Sequence, residues 1–196
     1  MITVYVFGDA RAPVRTVMRD LRALWALEES GLPYRIERLA FARGALDDGG
    51  FTLFESAAIV LYVAEKAGHL LPATSDGRAR AQQWAFAAVN TVEPAIAELY
   101  SIDALFAGQP WVRRRRPAVT RQVQRRIAEL DRELAGRAYL LGSEFGAPDI
   151  LMATVLRLAP ADLLAAAPHA ADYLARCEAR PAWAKVLAEH RQRLAA

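Results

Sequence analysis

One junction near residue 55 carries residue types that are suited to binding an anion. The apolar, strand-like residues 51–54 run into Glu55 and Ser56, and a helical pattern begins at once, with apolar positions at Ile59, Leu61, Tyr62 and Val63. A serine at a helix start can cap the helix with its hydroxyl, while the first-turn N–H groups remain open. Because those donors and the positive end of the helix dipole point the same way, such a start attracts carboxylates. The same pattern also fits a capped surface helix without a ligand.

Four segments carry recognisable motifs, in one order and over nearly the whole chain. They are the run Leu-Trp-Ala-Leu-Glu-Glu-Ser-Gly-Leu-Pro-Tyr at 24–34, Glu-Ser-Ala-x-Ile-x-x-Tyr at 55–62, Phe-Gly-Ala-Pro-Asp-Ile at 145–150, and the stretch from Tyr to Trp at 173–183. Together they resemble the cytosolic glutathione S-transferase family, of a bacterial type that is Ser/Cys-class-like or unclassified.

The resemblance implies both a fold and an activity. The expected fold is a thioredoxin-like α/β domain followed by an all-α helical bundle, and the expected assembly is a homodimer. The activity is the conjugation or reduction of small electrophiles with glutathione as co-substrate. At the glutathione site, Ser56 would bind the γ-glutamyl carboxylate through its hydroxyl and backbone N–H, and Glu55 would help to orient the amino end.

The thiol end of that site departs from the family pattern. Glutathione transferases stabilise the thiolate of bound glutathione, and a free thiol, with a pKa of about 8.5, is little ionised at neutral pH. The family uses Tyr, Ser or Cys in the loop after the first strand, whereas residues 8–18 contain none of these. Thr16 is the only hydroxyl in this loop and is therefore the predicted thiolate donor. A backbone N–H, or an arginine such as Arg15 or Arg19, is the alternative.

A second departure lies between Gly44 and Ala45. The family normally places a helix and then a cis-proline between its second and third strands, and roughly fifteen to twenty residues are missing here (compare). A natural deletion would remove a wall of the ligand site and argue for a non-catalytic descendant. Alternatively, a mobile loop is missing from the chain as numbered, which the loop-like Arg43-Gly44 and the strand-like Ala45-Leu46 favour. A Gly44–Ala45 Cα separation of about 3.8 Å would refute an omitted loop.

The local patterns predict two domains, 1–72 and 78–196, joined by a linker at 70–77. In the first domain, strands are predicted at 2–7, 34–41 and 51–54, helices at 17–29 and 56–68, and a hairpin turn at 47–50. This order is typical of a small thioredoxin-style layer, in which we place Tyr5 in the core. In the second domain, nothing has a strand pattern, and helices are predicted at 78–107, 117–136, 148–159 and 169–195.

The composition is that of an ordinary globular protein, with 54% hydrophobic and 24% charged residues and a net charge of +3. The densest basic run, Arg113–Arg116, could mark a nucleic-acid face. However, acidic residues follow it and no aromatic residues are interleaved, which favours a solvated helix face, and we expect no nucleic-acid partner. No apolar run approaches the ~18 residues needed to cross a bilayer, and no leader pattern precedes the first strand, so we expect a cytoplasmic protein.

The number and spacing of the cysteine and histidine residues do not indicate a metal site. Cys177 is the only cysteine, and we expect it to be a core or half-buried thiol. The three histidines are too scattered for metal ligation and favour surface or cap positions: His69, His169 and His190.

Two further features belong to the helical domain. Gly146 stands where the family commonly has a capping Ser or Thr, so Asp149 alone must serve the helix start, as a folding element. Aromatic residues that could line a cleft for an apolar electrophile, or alternatively belong to the bundle core or a dimer contact, are Trp84, Phe86, Tyr100, Phe106 and Trp111. The departures from the family pattern leave a transferase-fold binding or regulatory protein without catalysis as the alternative function.

Overall fold

The computed structural model describes residues 1–7, 19–39 and 45–195 of the chain. Its strands are β1 (Ile2–Phe7), β2 (Tyr34–Leu39), β3 (Ala45–Asp48) and β4 (Phe51–Phe54). Its helices are α1 (Asp20–Ser30), α2 (Ser56–Ala67), α3 (Ser75–Phe86), α4 (Glu93–Ala104), α5 (Val112–Leu134), α6 (Ala147–Leu156), α7 (Ala161–Ala165), α8 (Pro168–Glu178) and α9 (Pro181–Ala195). A π-helical segment, Ala87–Val92, joins α3 to α4. These elements form two compact units, one of Met1–Arg78 with Glu178–Ala196 and one of Ala79–Cys177.

The first unit is built on a four-stranded mixed sheet in the order β2-β1-β3-β4. β1 pairs in parallel with β2 and antiparallel with β3, and β3 pairs antiparallel with β4. Parallel neighbours require a crossover connection, and α1 lies between β1 and β2 in the chain. In β1 the apolar Ile2, Val4 and Val6 are buried on one face, and Thr3 on the opposite face is buried too. The predicted thioredoxin-like layer is therefore confirmed.

The hairpin turn at 47–50 is confirmed. It joins 51–54 to a short strand, 45–48, that is not among the predicted strands. Asp48 stands opposite Phe51, which leaves Gly49 and Gly50 as a two-residue loop with φ of 66° and 96°. Two positive φ values are what a type I′ turn requires, and glycine adopts them without steric cost. Ala45–Asp48 is thus the third strand and Phe51–Phe54 the fourth.

The connection between β2 and β3 comprises residues 40–44, which lie outside the described residues. The Gly44–Ala45 separation therefore falls outside them too, and the choice between a deletion and an omitted loop stays a prediction. The numbered chain itself contains no proline between Pro33 and Pro72. As numbered, it has no position for a cis-proline in this connection.

The last helix, α9, packs within the first unit, whereas the sequence pattern placed it in the second domain. The rings of Trp25 on α1 and Trp183 on α9 lie 4.6 Å apart, and both side chains are buried. Just before α9, Arg180 donates two hydrogen bonds of 2.7 Å to the Glu29 carboxylate. Aromatic contact and a two-point ion pair therefore hold α9 on α1.

In the second unit the helices are confirmed, and their limits differ from the predicted ones. The predicted helix 78–107 begins at Ser75 and is interrupted by the π-helical segment. The predicted helix 169–195 is two helices, because Pro181 disfavours a helical conformation for the residue before it. The start predicted at 117 is wrong: α5 begins at Val112, with Pro117 inside it.

Candidate functional site

The start of α2 is the candidate anion site, and its N-cap residue has an unusual backbone. Glu55 has φ 72° and ψ 113°, and among the described residues it is the only non-glycine residue with a positive φ. Its side chain is exposed and makes no capping hydrogen bond. The first intrahelical bond runs from the N–H of Ile59 to the Glu55 carbonyl, at 2.9 Å. The N–H groups of residues 56–58 therefore precede the hydrogen-bonded ladder.

The serine hydroxyl does not cap the helix as the sequence predicts. Ser56 is the first residue of α2, one place too late to be the N-cap, and its Oγ accepts a hydrogen bond from Arg22 Nη1 at 3.1 Å. Arg22 belongs to α1 and is only 3% exposed. A buried cation thus reaches the hydroxyl that was predicted to bind a carboxylate.

Sequence reasoning missed Arg22, although a signal was present. Arg22, Trp25, Ala26 and Glu29 have the i, i+3, i+4, i+7 spacing of one helix face, and the first three are buried. A charged residue at the start of an otherwise inward-facing stripe could have been recognised as a buried functional candidate. Its partner could not, because Ser56 lies 34 residues further along the chain.

The arrangement of these groups suits an anionic ligand. Among the described residues, the Ser56 hydroxyl has no hydrogen-bond partner besides Arg22, so its proton has no assigned acceptor there. The open first-turn amides, the hydroxyl and the guanidinium all bring positive potential to the start of α2. Charge-assisted hydrogen bonds to a carboxylate are about twice as strong as neutral ones. These groups suit an anionic ligand such as a carboxylate, and the binding role of Ser56 stays a prediction.

Two side chains of α2, the motif residue Tyr62 and the following Lys66, connect this helix to the hairpin by polar contacts with Asp48. Tyr62 donates a 2.8 Å hydrogen bond to Asp48 Oδ2, and Lys66 pairs with the same carboxylate. These two donors lower the pKa of Asp48, Lys66 having the larger effect. The ring of Tyr62 also lies 5.3 Å from that of Phe51. The motif tyrosine thus has a structural contact of its own, which supports the position of α2.

Of the three residues predicted as donors to the glutathione thiolate, the structure describes only Arg19. Thr16 and Arg15 lie outside the described residues, and Arg19 is an exposed residue that directly precedes α1 without capping it. Next to it, Asp20 is 4% exposed, and burial raises the pKa of its carboxyl, although the charges of His190 and Arg193 oppose the shift. Tyr5 is half-buried in β1. The thiolate-stabilising group therefore stays a prediction.

A second helix start, that of α6, is closed by the protein itself. Asp149 is fully buried and its Oδ2 accepts from the Gly146 N–H at 2.9 Å, in the predicted capping role. Its Oδ1 accepts from the Leu140 N–H at 3.0 Å and from the Tyr173 hydroxyl at 2.9 Å. Burial, and then the neighbouring Asp149 charge, raise the pKa of Tyr173 well above its ordinary value.

The aromatic residues predicted to line a cleft are all at least partly accessible. Trp84 and Tyr100 are half-buried, and Phe86 is exposed. Phe106 and Trp111 are exposed as well, with their rings 5.6 Å apart between α4 and α5. The exposed Phe86, Phe106 and Trp111 are therefore not part of the bundle core. Their role toward a substrate stays a prediction.

The remaining sequence candidates take ordinary positions. Cys177 is buried, as expected. His190 is buried too, contrary to the surface or cap position predicted for it. Within the described ranges, no group of three or more His, Cys, Asp or Glu side chains could hold a metal ion. The same part of the chain includes no helix with the length and apolar character that a membrane span needs.

The basic run on α5 is partly neutralised within the second unit. Arg115 Nε donates to Glu98 at 2.7 Å, and Arg116 makes two bonds, of 2.7 Å and 2.9 Å, to Asp103. Arg113 and Arg114 are exposed. Two of the four guanidinium groups therefore already have carboxylate partners.

Comparison with known proteins agrees with this architecture. The model of the glutathione S-transferase C-terminal domain matches residues 90–181. A glutathione transferase from Burkholderia graminis, solved with two glutathione molecules per subunit, is 26% identical with a TM-score of 0.80, over 95% of this chain and 87% of that one. A theta-class enzyme from Xanthomonas axonopodis pv. citri with glutathione bound is also 26% identical, with a TM-score of 0.78 over 95% and 96% of the two chains. Poplar glutathione transferase F1 is 18% identical with a TM-score of 0.82, over 97% and 98%.

A thioredoxin-like layer and a helical bundle that matches the family model define a protein of the transferase fold. Residues 90–181 thus belong to the glutathione S-transferase C-terminal domain family, and the chain as a whole shares the fold of the glutathione transferases to which it is similar.

Proposed function

We propose that this protein binds glutathione at the start of α2 and uses its thiol to conjugate or reduce small electrophiles. The match of residues 90–181 to the glutathione S-transferase C-terminal domain supports the reaction class, and the glutathione held by the Burkholderia and Xanthomonas proteins supports the co-substrate. In this proposal, residues 1–72 form the glutathione-binding domain and residues 78–196 the helical domain. Ser56 binds the γ-glutamyl carboxylate and Glu55 orients the amino end.

The backbone of Glu55 is the observation that carries the proposal. A non-glycine residue in a sparsely populated conformation costs on the order of 1–3 kcal/mol and persists where the surroundings over-determine it. At Glu55 this conformation places an exposed carboxylate directly before the open amides of α2. An acidic group beside an anion-binding helix start suits a ligand that carries an amine and a carboxylate on one carbon, as the γ-glutamyl end does.

The chemistry also requires that the protein lower the pKa of the bound thiol. Each unit by which the pKa falls corresponds to about 1.4 kcal/mol of preferential stabilisation of the thiolate. A hydroxyl, a backbone N–H or a guanidinium that donates to the sulfur provides this stabilisation. We propose Thr16 for the role, with Arg15 and Arg19 as the alternative donors near the start of α1.

Titration calorimetry with glutathione at concentrations up to millimolar tests the proposal. Wild-type protein should bind, and Ser56→Ala should remove most of the binding. Ser101→Ala is a matched control, because the Ser101 hydroxyl donates only to the Ala97 carbonyl within α4. Absence of any heat of binding to the wild-type protein would refute the assignment.

A second function, glutathione binding without catalysis, is favoured by the short connection between β2 and β3. The family resemblance implies a helix and a cis-proline there, and the numbered chain offers five residues and no proline. Ultraviolet titration of the bound thiol separates the two functions. A thiol pKa that falls on binding supports the enzyme, and an unchanged pKa supports a binding or regulatory protein.

We further propose a cytoplasmic homodimer. The family resemblance implies the dimer, and the exposed Phe51 and Phe54 on the edge strand β4 provide apolar surface that a second copy could cover. Sedimentation equilibrium should give twice the 21.6 kDa chain mass. A monomer mass at micromolar concentration would overturn this part of the proposal.

A further inference from the structure

We infer that Arg22 is a positioning residue for carboxylate recognition: it holds the Ser56 oxygen so that the hydroxyl proton is directed to a bound carboxylate. The inference rests on the proposed function, since it concerns how that binding site discriminates its ligand. It adds a residue of α1 to a site that the sequence assigned to the start of α2 alone.

The first step of the argument is the direction of the hydrogen bond. A serine hydroxyl has one proton and two acceptor lone pairs, and its proton rotates to suit its surroundings. Arg22 Nη1 can only donate, so at 3.1 Å it occupies a lone pair of Ser56 Oγ. The hydroxyl proton must then point elsewhere, and among the described residues no side chain or carbonyl accepts it.

The second step is the charge. The guanidinium keeps its proton at all ordinary pH values, and at 3% exposure it is largely withdrawn from water. Charges interact more strongly in such a surrounding than in bulk solvent. A hydroxyl that accepts a hydrogen bond from a buried cation is polarised and becomes a stronger donor itself, because hydrogen bonds in such a chain strengthen one another. Ser56 should therefore donate to a carboxylate more strongly than an isolated serine would.

A purely structural role for Arg22 is the competing explanation, and the first unit offers a second guanidinium–hydroxyl pair, with its arginine exposed, for comparison. Arg35 Nε donates to the Thr3 hydroxyl at 2.9 Å, which also joins a guanidinium to a hydroxyl on another element. That pair links β1 and β2, whereas the Arg22 pair meets the open start of a helix. Arg35→Met thus controls for loss of a cation–hydroxyl contact outside the site.

The experiment compares two ligands on four proteins. The ligands are glutathione and the decarboxylated peptide γ-aminobutyryl-cysteinyl-glycine, which lacks only the γ-glutamyl α-carboxylate and keeps the amine. The proteins are wild type, Arg22→Met, Arg22→Lys and Arg35→Met, with Kd measured by calorimetry and folding checked by thermal denaturation.

The expected result is a loss of carboxylate preference. Wild type should favour glutathione over the decarboxylated peptide by about tenfold or more, as expected for a charge-assisted hydrogen bond. Arg22→Met should bind the two peptides with nearly equal affinity, Arg22→Lys should recover part of the preference, and Arg35→Met should keep all of it. If Arg22→Met does not fold, the charge-retaining Arg22→Lys and the neutral donor Arg22→Gln supply the same comparison.

Three results would overturn the inference, and a parallel measurement on Ser56→Ala makes them distinguishable. If Arg22→Met weakens binding of both peptides equally, Arg22 acts on the fold and the proposed function stands. If Arg22→Met keeps the full preference while Ser56→Ala loses it, Ser56 acts without Arg22, and the proposed function again stands. If wild-type protein binds neither peptide, the inference falls together with the proposed function.

Discussion

The starts of α2 and α6 use helix N-termini in opposite ways. At α6, the protein's own Asp149 closes the helix start, and hydrogen bonds to Gly146, Leu140 and Tyr173 surround the buried carboxylate. At α2, Glu55 makes no side-chain cap, and the neighbouring hydroxyl receives a bond from a cation instead.

This difference separates a helix start that supports folding from one that can serve binding. A carboxylate supplied by the chain satisfies the open amides permanently and adds to stability. A helix start that lacks such a carboxylate keeps its donors for an external anion. The strained backbone at Glu55 fits the second case, because a site that only stabilised the fold would gain from a relaxed residue there.

The largest effect should come from removing the carboxylate at α6. Asp149→Ala leaves two buried N–H groups and the Tyr173 hydroxyl without their acceptor, so the free energy of unfolding should fall by about 3 kcal/mol or more. Urea denaturation measures the loss. Asp131→Ala is the control, because Asp131 accepts one bond, from the Ala170 N–H, at a half-buried position and should cost about 1 kcal/mol. Equal losses in the two variants would contradict the comparison.

The reverse pattern is expected at α2. The Ser56 hydroxyl caps no amide, but Ser56→Ala takes one acceptor from the buried Arg22, so the unfolding free energy should fall by about 1–2 kcal/mol, less than at Asp149, while the Kd for glutathione rises tenfold or more. Calorimetry and urea denaturation on the same samples test both halves of this prediction. A large loss of stability without a loss of binding would make Ser56 a folding residue like Asp149.

Tyr173→Phe should show a smaller effect with a distinct pH dependence. Loss of the hydrogen bond to Asp149 should cost about 1 kcal/mol at neutral pH. The folded-state pKa of Tyr173 is raised by burial and by Asp149, so its contribution is complete below the unfolded pKa of about 10 and is lost as the pH rises toward the folded value. Above pH 10 the two proteins should therefore approach each other in stability, and a gap that stays constant would refute the assignment.

The smallest effect should come from relaxing the backbone at Glu55. Glu55→Gly removes the side chain that disfavours φ 72°, and it should stabilise the protein by about 0.5–1 kcal/mol. Glu55→Ala keeps a Cβ and should show no such gain. Both variants lose the carboxylate and should bind glutathione more weakly than wild type. A destabilised Glu55→Gly protein would show that the conformation at residue 55 is not strained.

Much of the fold could be predicted because its signals are local. The hairpin follows from Gly49-Gly50, and the ends of α1 and α2 follow from Gly31 and Gly68. The capping role of Asp149 follows from its place three residues after Gly146. The limits of α5 could not be predicted in this way, because Pro117 is typical of a helix start and here lies in the interior.

The sequence by itself determined which elements form and which residue types stand at the start of α2, since turns, caps and hydrophobic periods depend on neighbours within a few positions. Only the tertiary structure decided that Arg22 meets Ser56 and that α9 packs on α1 through Trp25 and Trp183. Both contacts join residues far apart in the chain. The packing of whole helices sets such distances, and no local pattern records them.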